Sequence, residues 1–301
     1  MPPSLEEPLR PADVLPRCAF PAPGTPVVAA VSGGADSSAL LLLAVEAGCE
    51  VTAVHVDHDL RPGSAAEADL VAELAASLGA RFLARRAPVR PGPNLEARAR
   101  QARFSVLPRG AMTGHTADDQ AETVVLNLMR GAGLDGLAGM RPGPTKPLLA
   151  LRRRETTALC ETLGIRPVVD PTNDDLALRR NRVRHEVLPL LDRVAERDVA
   201  AVLARNATLA GDDSRFLDDV AAALDPTDAG ALADAPRPLA RRALRRWLVD
   251  HGDGHAPAAT TVERVLEVAG GRWRATEIGN GRRVVRRGGR LRVERRSSVE
   301  R

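Results

Sequence analysis

Asp36 stands inside a run of small and hydroxyl residues, Ser32-Gly33-Gly34-Ala35-Asp36-Ser37-Ser38, that comes directly after the apolar stretch Val27-Val28-Ala29-Ala30-Val31. Glycines let a backbone approach a polyanion and serines add hydroxyl donors. A helix opening into Ala39-Leu40-Leu41-Leu42-Leu43 supplies free N–H groups that favour negative charge. The order strand, tight turn, helix start predicts a phosphate-binding loop. It is not a Walker A loop, because no Gly-Lys-Ser/Thr occurs at the required spacing. A carboxylate beside bound phosphates is repulsive unless a cation such as Mg2+ lies between them, which makes Asp36 the candidate metal ligand. A Gly-Gly pair alone marks any strand–helix turn, so the weight rests on the whole string.

The second constellation is Gly114-His115-Thr116-Ala117-Asp118-Asp119-Gln120-Ala121-Glu122-Thr123. Its plain reading is a helix capped by Thr116, with Asp118 and Asp119 at the positive end. Asp119 and Glu122, three apart, also share one helical face, and like charges there call for a cation, either a substrate ammonium or Mg2+. In His55-Val56-Asp57-His58-Asp59-Leu60-Arg61 the polar residues form either a solvated strand tip or a rim over a nucleotide. In the segment Asn94 to Arg103, Glu96 and Arg100 make an i,i+4 pair, while Arg100 and Arg103 could instead face phosphates. Finally, the acidic turn Asp170-Pro171-Thr172-Asn173-Asp174-Asp175 precedes Arg179-Arg180-Asn181-Arg182-Val183-Arg184-His185. Cations at a helix start oppose its dipole and need anionic partners, for which RNA phosphates are candidates; a solvated face is the plain reading.

The elements that must position these groups alternate. Strands are expected at 27–31, 50–56, 81–84 and 111–115, with helices at about 36–47, 65–78, 94–107 and on to Met129. Repeated strand–helix units imply an α/β fold, a parallel Rossmann-like sheet with helices on both faces and sites at the carboxyl ends of strands. Ser32, His55 and His115 all fall at such ends. Residues 131–150, rich in Gly and Pro, read as an irregular or mobile loop. Helices resume at 152–163 and 181–192. Next come an Ala-rich helical stretch, an acidic segment with Asp212, Asp213, Asp218 and Asp219, and an Arg-rich helix at 237–250. The tail reads as a three-stranded meander turned at Asn280-Gly281 and Gly288-Gly289. The organisation is thus a lead-in at 1–26, a nucleotide-binding domain at 27–200 and a smaller α+β region at 201–301, with the boundary near 200.

Across 301 residues, 43 basic and 39 acidic side chains leave a net charge of +4, compatible with an RNA partner. Lys146 is the only lysine. With no Tyr, four Phe and two Trp, few rings are available to stack bases, so backbone contacts and shape should dominate RNA recognition. Cys18, Cys49 and Cys160 are scattered with no CxxC, against a disulfide framework, a zinc site or an iron–sulfur cluster. The first residues are Pro-rich and acidic instead of apolar, and no window reaches the length of a membrane span. A cytoplasmic protein with no membrane partner is expected.

The string SGGADS after an apolar strand resembles the pyrophosphate loop of N-type ATP pyrophosphatases. HVDHDLR, GHTADDQAET, LNLMRGAGLDGLAGM, KPLL and DPTND…RRNRVRHEVLPLL, in that order over 27–200, resemble the tRNA(Ile)-lysidine synthetases. The resemblance implies ATP and Mg2+. It also implies two partners, L-lysine and the isoleucine tRNA with a CAU anticodon, and leaves a homodimer open. O2 of the wobble cytidine would be adenylated, lysine's ε-amine would attack C2, and AMP would leave. Ser32, Gly33, Gly34, Ala35, Asp36, Ser37 and Ser38 would hold the ATP phosphates, with Asp36 on Mg2+, and His55, Gly114 and His115 would complete the nucleotide site. Arg100 would lie near the phosphates as a catalytic group. Asp119 and Glu122 would receive lysine's ammonium, Arg179, Arg182 and Arg184 would lie near tRNA or the loop, and Asn181 would belong to the same substrate-binding set. Asp59 and Thr172 depart from the family pattern, the last 100 residues match it loosely, and the tail is short for the family's additional C-terminal domain. A tRNA-thiolating relative would need paired cysteines. A glutamine-dependent ligase would need a further domain before residue 27. A non-catalytic RNA-binding relic would not need Asp36, Asp119 and Glu122.

Overall fold

A computed structural model of the chain describes residues 8–59, 64–90, 92, 95–168, 174–251 and 254–295. The chain divides into two compact units, Met1–Gly211 and Asp212–Arg301. The first begins with the short helix α1 (Pro11–Val14) and then alternates: β1 (Pro26–Ala30), α2 (Ala35–Glu46), β2 (Glu50–Asp57), α3 (Ser64–Ser77), β3 (Arg81–Arg86), α4 (Leu95–Val106), β4 (Met112–Thr113) and α5 (Ala117–Met129). The strand order is β3-β2-β1-β4 and every pairing is parallel. β2 and β3 lie on one side of β1, and the chain then returns to lay β4 on the other. That reversal opens a crevice between the carboxyl ends of β1 and β4, where open α/β sheets bind ligands.

The expected parallel α/β fold is present, and apolar burial explains it. In α2, Ser37 through Ala44 are all buried, with Leu40, Leu41 and Leu43 fully so. They pack with Ala29, Val31, Val51, Ala53, Met112, Leu148, Leu151 and Leu159. Each such leucine contributes roughly 1.5–3 kcal/mol by leaving water. A helix apolar all round is one sandwiched between layers, and α2 is therefore rigidly seated behind its own N-terminus.

After α5 come α6 (Leu134–Leu137), α7 (Arg153–Thr162), α8 (Arg179–Arg182), one π-helical turn at Val183–Val187, and α9 (Leu188–Ala195). The stretch 131–150, expected to be irregular or mobile, is tied down. Gln120 donates to the carbonyls of Ala138 (3.2 Å) and Met140 (2.9 Å) and accepts from the Met140 amide (2.8 Å), while Asn127 donates to Gly136 O at 2.8 Å. Side-chain amides on α5 thus replace the regular hydrogen bonds this Gly- and Pro-rich segment lacks.

α10 (Val199–Ala222) is a single 24-residue helix; the division between units falls within it, whereas composition suggests a boundary near 200. The second unit continues with α11 (Ala229–Asp234), α12 (Arg237–His251), α13 (Ala259–Ala269) and the antiparallel strands β5 (Ala275–Gly279), β6 (Arg282–Arg287) and β7 (Arg290–Arg295). Its core joins Leu232, Leu244, Trp247, Val265 and Val268 to Val284 and Leu291. The meander turns where expected: Asn280 and Gly281 (φ 51° and 64°), then Gly288 and Gly289 (φ 56° and 76°), supply the left-handed pairs a two-residue hairpin needs. α11 and α13 were not anticipated. Leu60, Arg61, Asn94, the Glu96 side chain and the Asp170–Asn173 part of the acidic turn lie outside the described residues.

Candidate active site

The loop after β1 is closed on itself. Gly33 takes φ 89° and Gly34 caps α2. The Ser32 amide donates to Ser37 Oγ (3.1 Å), Ser37 Oγ donates to Gly34 O (2.9 Å), and Ser38 Oγ donates to Gly33 O (3.2 Å). Ser37 and Ser38, both buried, therefore spend their hydroxyls on the shape of the loop. The exposed Ser32 hydroxyl and the first-turn amides of Ala35 and Asp36 are the donors placed to meet an anion. Gly114 closes the crevice from the β4 side. A Cβ there would lie 2.5 Å from Asp36 O and 3.0 Å from Ser37 N, so only glycine permits this approach.

His55 is buried beneath the loop and its Nδ1–H donates to Val31 O at 3.0 Å. The structure thus makes it a prop for the end of β1, neither a solvated tip nor an open rim. His115 Nδ1 lies 2.7 Å from Thr113 Oγ1. Burial pushes its imidazole down to about 4; Asp119 opposes this, and Arg180, Arg100 and Lys146 reinforce it. Arg100 is exposed and stacks over Phe104 at 5.0 Å, and its charge helps to lower the His115 imidazole and the Lys146 ammonium.

Beside the loop, acids and arginines interlock. Asp36 Oδ1 accepts from the Thr156 hydroxyl and Oδ2 from Arg153 Nε at 3.2 Å. Burial raises the Asp36 carboxyl despite Arg153 and Thr156. Asp119, at the third position of α5, accepts from the Thr116 amide (2.9 Å) and hydroxyl (3.1 Å). Arg153 Nη2 and Arg180 Nη2 donate to its other oxygen at 3.0 and 3.1 Å. Glu122, 0% exposed, accepts from Arg153 Nη1 (3.3 Å), Arg180 Nε (2.6 Å) and Arg184 Nε (2.7 Å). Burial alone would raise Asp119, but Arg153, Arg180 and the Thr116 amide outweigh it and hold the carboxyl below the ordinary aspartate range. Neighbouring Asp118 faces away, gripped by Arg152 and the Arg153 amide.

Helix geometry explains the convergence. Positions 119 and 122 share a face of α5, and 180 and 184 share a face of the α8–π segment. That segment and α9 are held on α5 by Val183, Val187, Leu188 and Leu191 packing with Ala121 and Val125. Among the expected site residues, Asp36, Asp119, Glu122 and Arg184 come together beside the glycine loop. Arg179 and Arg182 are exposed, Arg182 pairing with Glu186 at 3.0 Å, and Asn181 is buried with its amide donating to Asp175 O at 3.0 Å. The acid pair meets cations from within the chain, Arg153, Arg180 and Arg184, and Arg184 reaches Glu122. Arg153 and Thr156 lie outside the residues the sequence points to, and Arg180 joins them from the basic run. The signal for Arg153 was present as a cation run at a helix start, the same sign conflict noted for 179–184.

Asp36 is the carboxylate beside the loop, and among the described residues no cluster of three metal-ligating side chains occurs. A single carboxylate suits Mg2+, which binds through one or two carboxylates and completes its shell with phosphates and water.

Comparison with known proteins agrees with this geometry. Residues 15–191 match the PP-loop domain family and residues 228–292 the TilS substrate binding domain family. The tRNA(Ile)-lysidine synthase of Rhodococcus erythropolis is 45% identical over 243 residues, covering 75% of this chain and 74% of that protein. That of Salinispora tropica is 42% identical over 313 residues, covering 90% and 91%. Among solved structures, the U34-tRNA thiolase NcsA of Methanococcus maripaludis superposes with a TM-score of 0.53 at 16% identity, covering 65% of this chain and 76% of that one, a likeness of fold.

Proposed function

Because the chain belongs to the tRNA(Ile)-lysidine synthase family, we propose that it joins L-lysine to C2 of the wobble cytidine of the CAU-anticodon isoleucine tRNA, consuming ATP through an adenylated cytidine. One observation carries this reading: the glycine loop and the Asp119–Glu122 pair meet at one crevice, bridged by Arg153. Such a site can activate one group with a nucleotide and hold an amine beside it.

In the first half-reaction, cytidine O2 attacks the α-phosphorus of ATP and pyrophosphate departs. The Ser32 hydroxyl and the amides at the start of α2 hold the phosphates, and Arg100 would act near them as a catalytic group. Asp36 would hold Mg2+, which when bound offsets phosphate charge. In the second, lysine's ε-amine attacks C2, the C2–O2 bond breaks, and AMP leaves carrying the oxygen. The base is then lysidine. Asp119 and Glu122 dock the ammonium, which must shed a proton before it attacks. Docking also requires a guanidinium to give way, since Arg180 and Arg184 contact both acids. The meander unit, matched by the TilS substrate binding domain family, is the proposed tRNA-binding region.

The test is labelled-lysine incorporation into unmodified CAU isoleucine tRNA with ATP and Mg2+, beside a CAU methionine tRNA. Label in the isoleucine tRNA alone is expected. No label despite ATP binding would reject the reading.

A further inference from the structure

Arg153 opens α7, where a cation works against the helix dipole. Its place is nevertheless anchored. The Arg153 amide donates to Asp118 Oδ2 at 2.7 Å, and Arg152 grips the same carboxylate with Nε at 3.0 Å and Nη2 at 2.8 Å. From that fixed start the Arg153 side chain serves three acids with three different nitrogens: Nε to Asp36 (3.2 Å), Nη2 to Asp119 (3.0 Å) and Nη1 to Glu122 (3.3 Å). Arg180 and Arg184 serve the Asp119–Glu122 side.

We propose that Arg153 is a positioning residue common to both half-reactions, holding the nucleotide-side acid Asp36 in register with the amine-side acids Asp119 and Glu122. The proposal rests on the assignment of those two sides given under the proposed function. C2, which carries the adenylated oxygen, must present itself to the amine without moving between steps, so the spacing of the two sides is itself a catalytic requirement. A planar guanidinium spreads its donors over a rigid fork, whereas an ammonium offers three from a single point. Arg153→Lys therefore keeps the charge and loses the span.

Two assays separate the sides. One is exchange of labelled pyrophosphate into ATP with tRNA and no lysine; the other is the lysine dependence of transfer. In R153K, exchange should fall and the lysine KM should rise, each by about 10²-fold, the scale of a misplacement near 1 Å. Arg154→Gln, altering an exposed cation on the same turn, should leave both unchanged. If R153K melts below the assay temperature, Arg153→Ala with added methylguanidinium replaces it, and recovery of both activities supports the proposal. Loss of one half-reaction alone, recovery of one alone, recovery of neither, or equal losses in R154Q overturns it. A wild-type chain silent in both assays rejects the lysidine reading itself, and this inference with it.

Discussion

Glu122→Gln removes a charge that Arg153, Arg180 and Arg184 all touch, at a side chain with no exposure to water. The cluster of Asp36, Asp119 and Glu122 with these arginines is neutral as built; the substitution leaves it one positive charge in excess. Removing one partner of a buried ion pair costs about 3–5 kcal/mol. The Gln carbonyl can still accept one N–H, so the lower end, about 3 kcal/mol, is expected here. For a unit of this size that corresponds to roughly 6–12 °C in Tm. Both tryptophans, Trp247 and Trp273, lie in the second unit, so fluorescence would report on the wrong half. Calorimetry resolved into transitions is the suitable assay. Adding Arg184→Gln should return part of the loss, because it removes the excess charge: the double variant should be more stable than the sum of the singles by about 1–3 kcal/mol. A Glu122→Gln protein as stable as wild type, or strict additivity in the cycle, would refute the three-way contact.

Gly114→Ala should weaken ATP binding by about 10²-fold in titration calorimetry, because a Cβ 2.5 Å from Asp36 O must displace the loop; unchanged affinity would mean the loop is not the nucleotide site. His115, held down to about 4, should stay neutral in ring-proton NMR until pH approaches that value, and a midpoint near 6.5 would contradict its burial. Its linkage has a definite sign. The unfolded imidazole gains a proton below about 6.5 while the folded one does not, so stability is full above that pH and declines as pH falls toward 4.

The sequence made the glycine loop legible because its chemistry is local: strand, turn and helix start are consecutive, and spacing alone brings Ser32 to Ser38 together. Asp119 and Glu122 were legible for the same reason, through helical periodicity. Their counter-ions were not. Arg152, Arg153 and Arg154 are identical in type, yet the first grips Asp118, the second faces the acids and the third is exposed. Only tertiary packing decides which of three adjacent arginines points inward. Cations at 179–184 oppose the helix dipole and by sequence alone suit RNA phosphates outside the chain, whereas the fold answers them inward at Arg180 and Arg184. The Gly- and Pro-rich stretch misled for a related reason, since its order comes from Gln120 and Asn127 on another element.

From Thr116 to Glu122 nearly every side chain answers to a different neighbour. Asp118 faces Arg152, Asp119 meets Arg153 and Arg180, Gln120 holds Met140, Ala121 packs on the α8–π segment, and Glu122 takes Arg184. Each residue inserted into a helix rotates the remainder of that helix by about 100°. One insertion after Thr116 would thus hand every one of these partners to the wrong tenant at once, leaving composition, charge and hydropathy almost untouched. This stretch works like the cuts on a key: a worn tooth still turns some locks, but a blank cut one notch too long opens nothing.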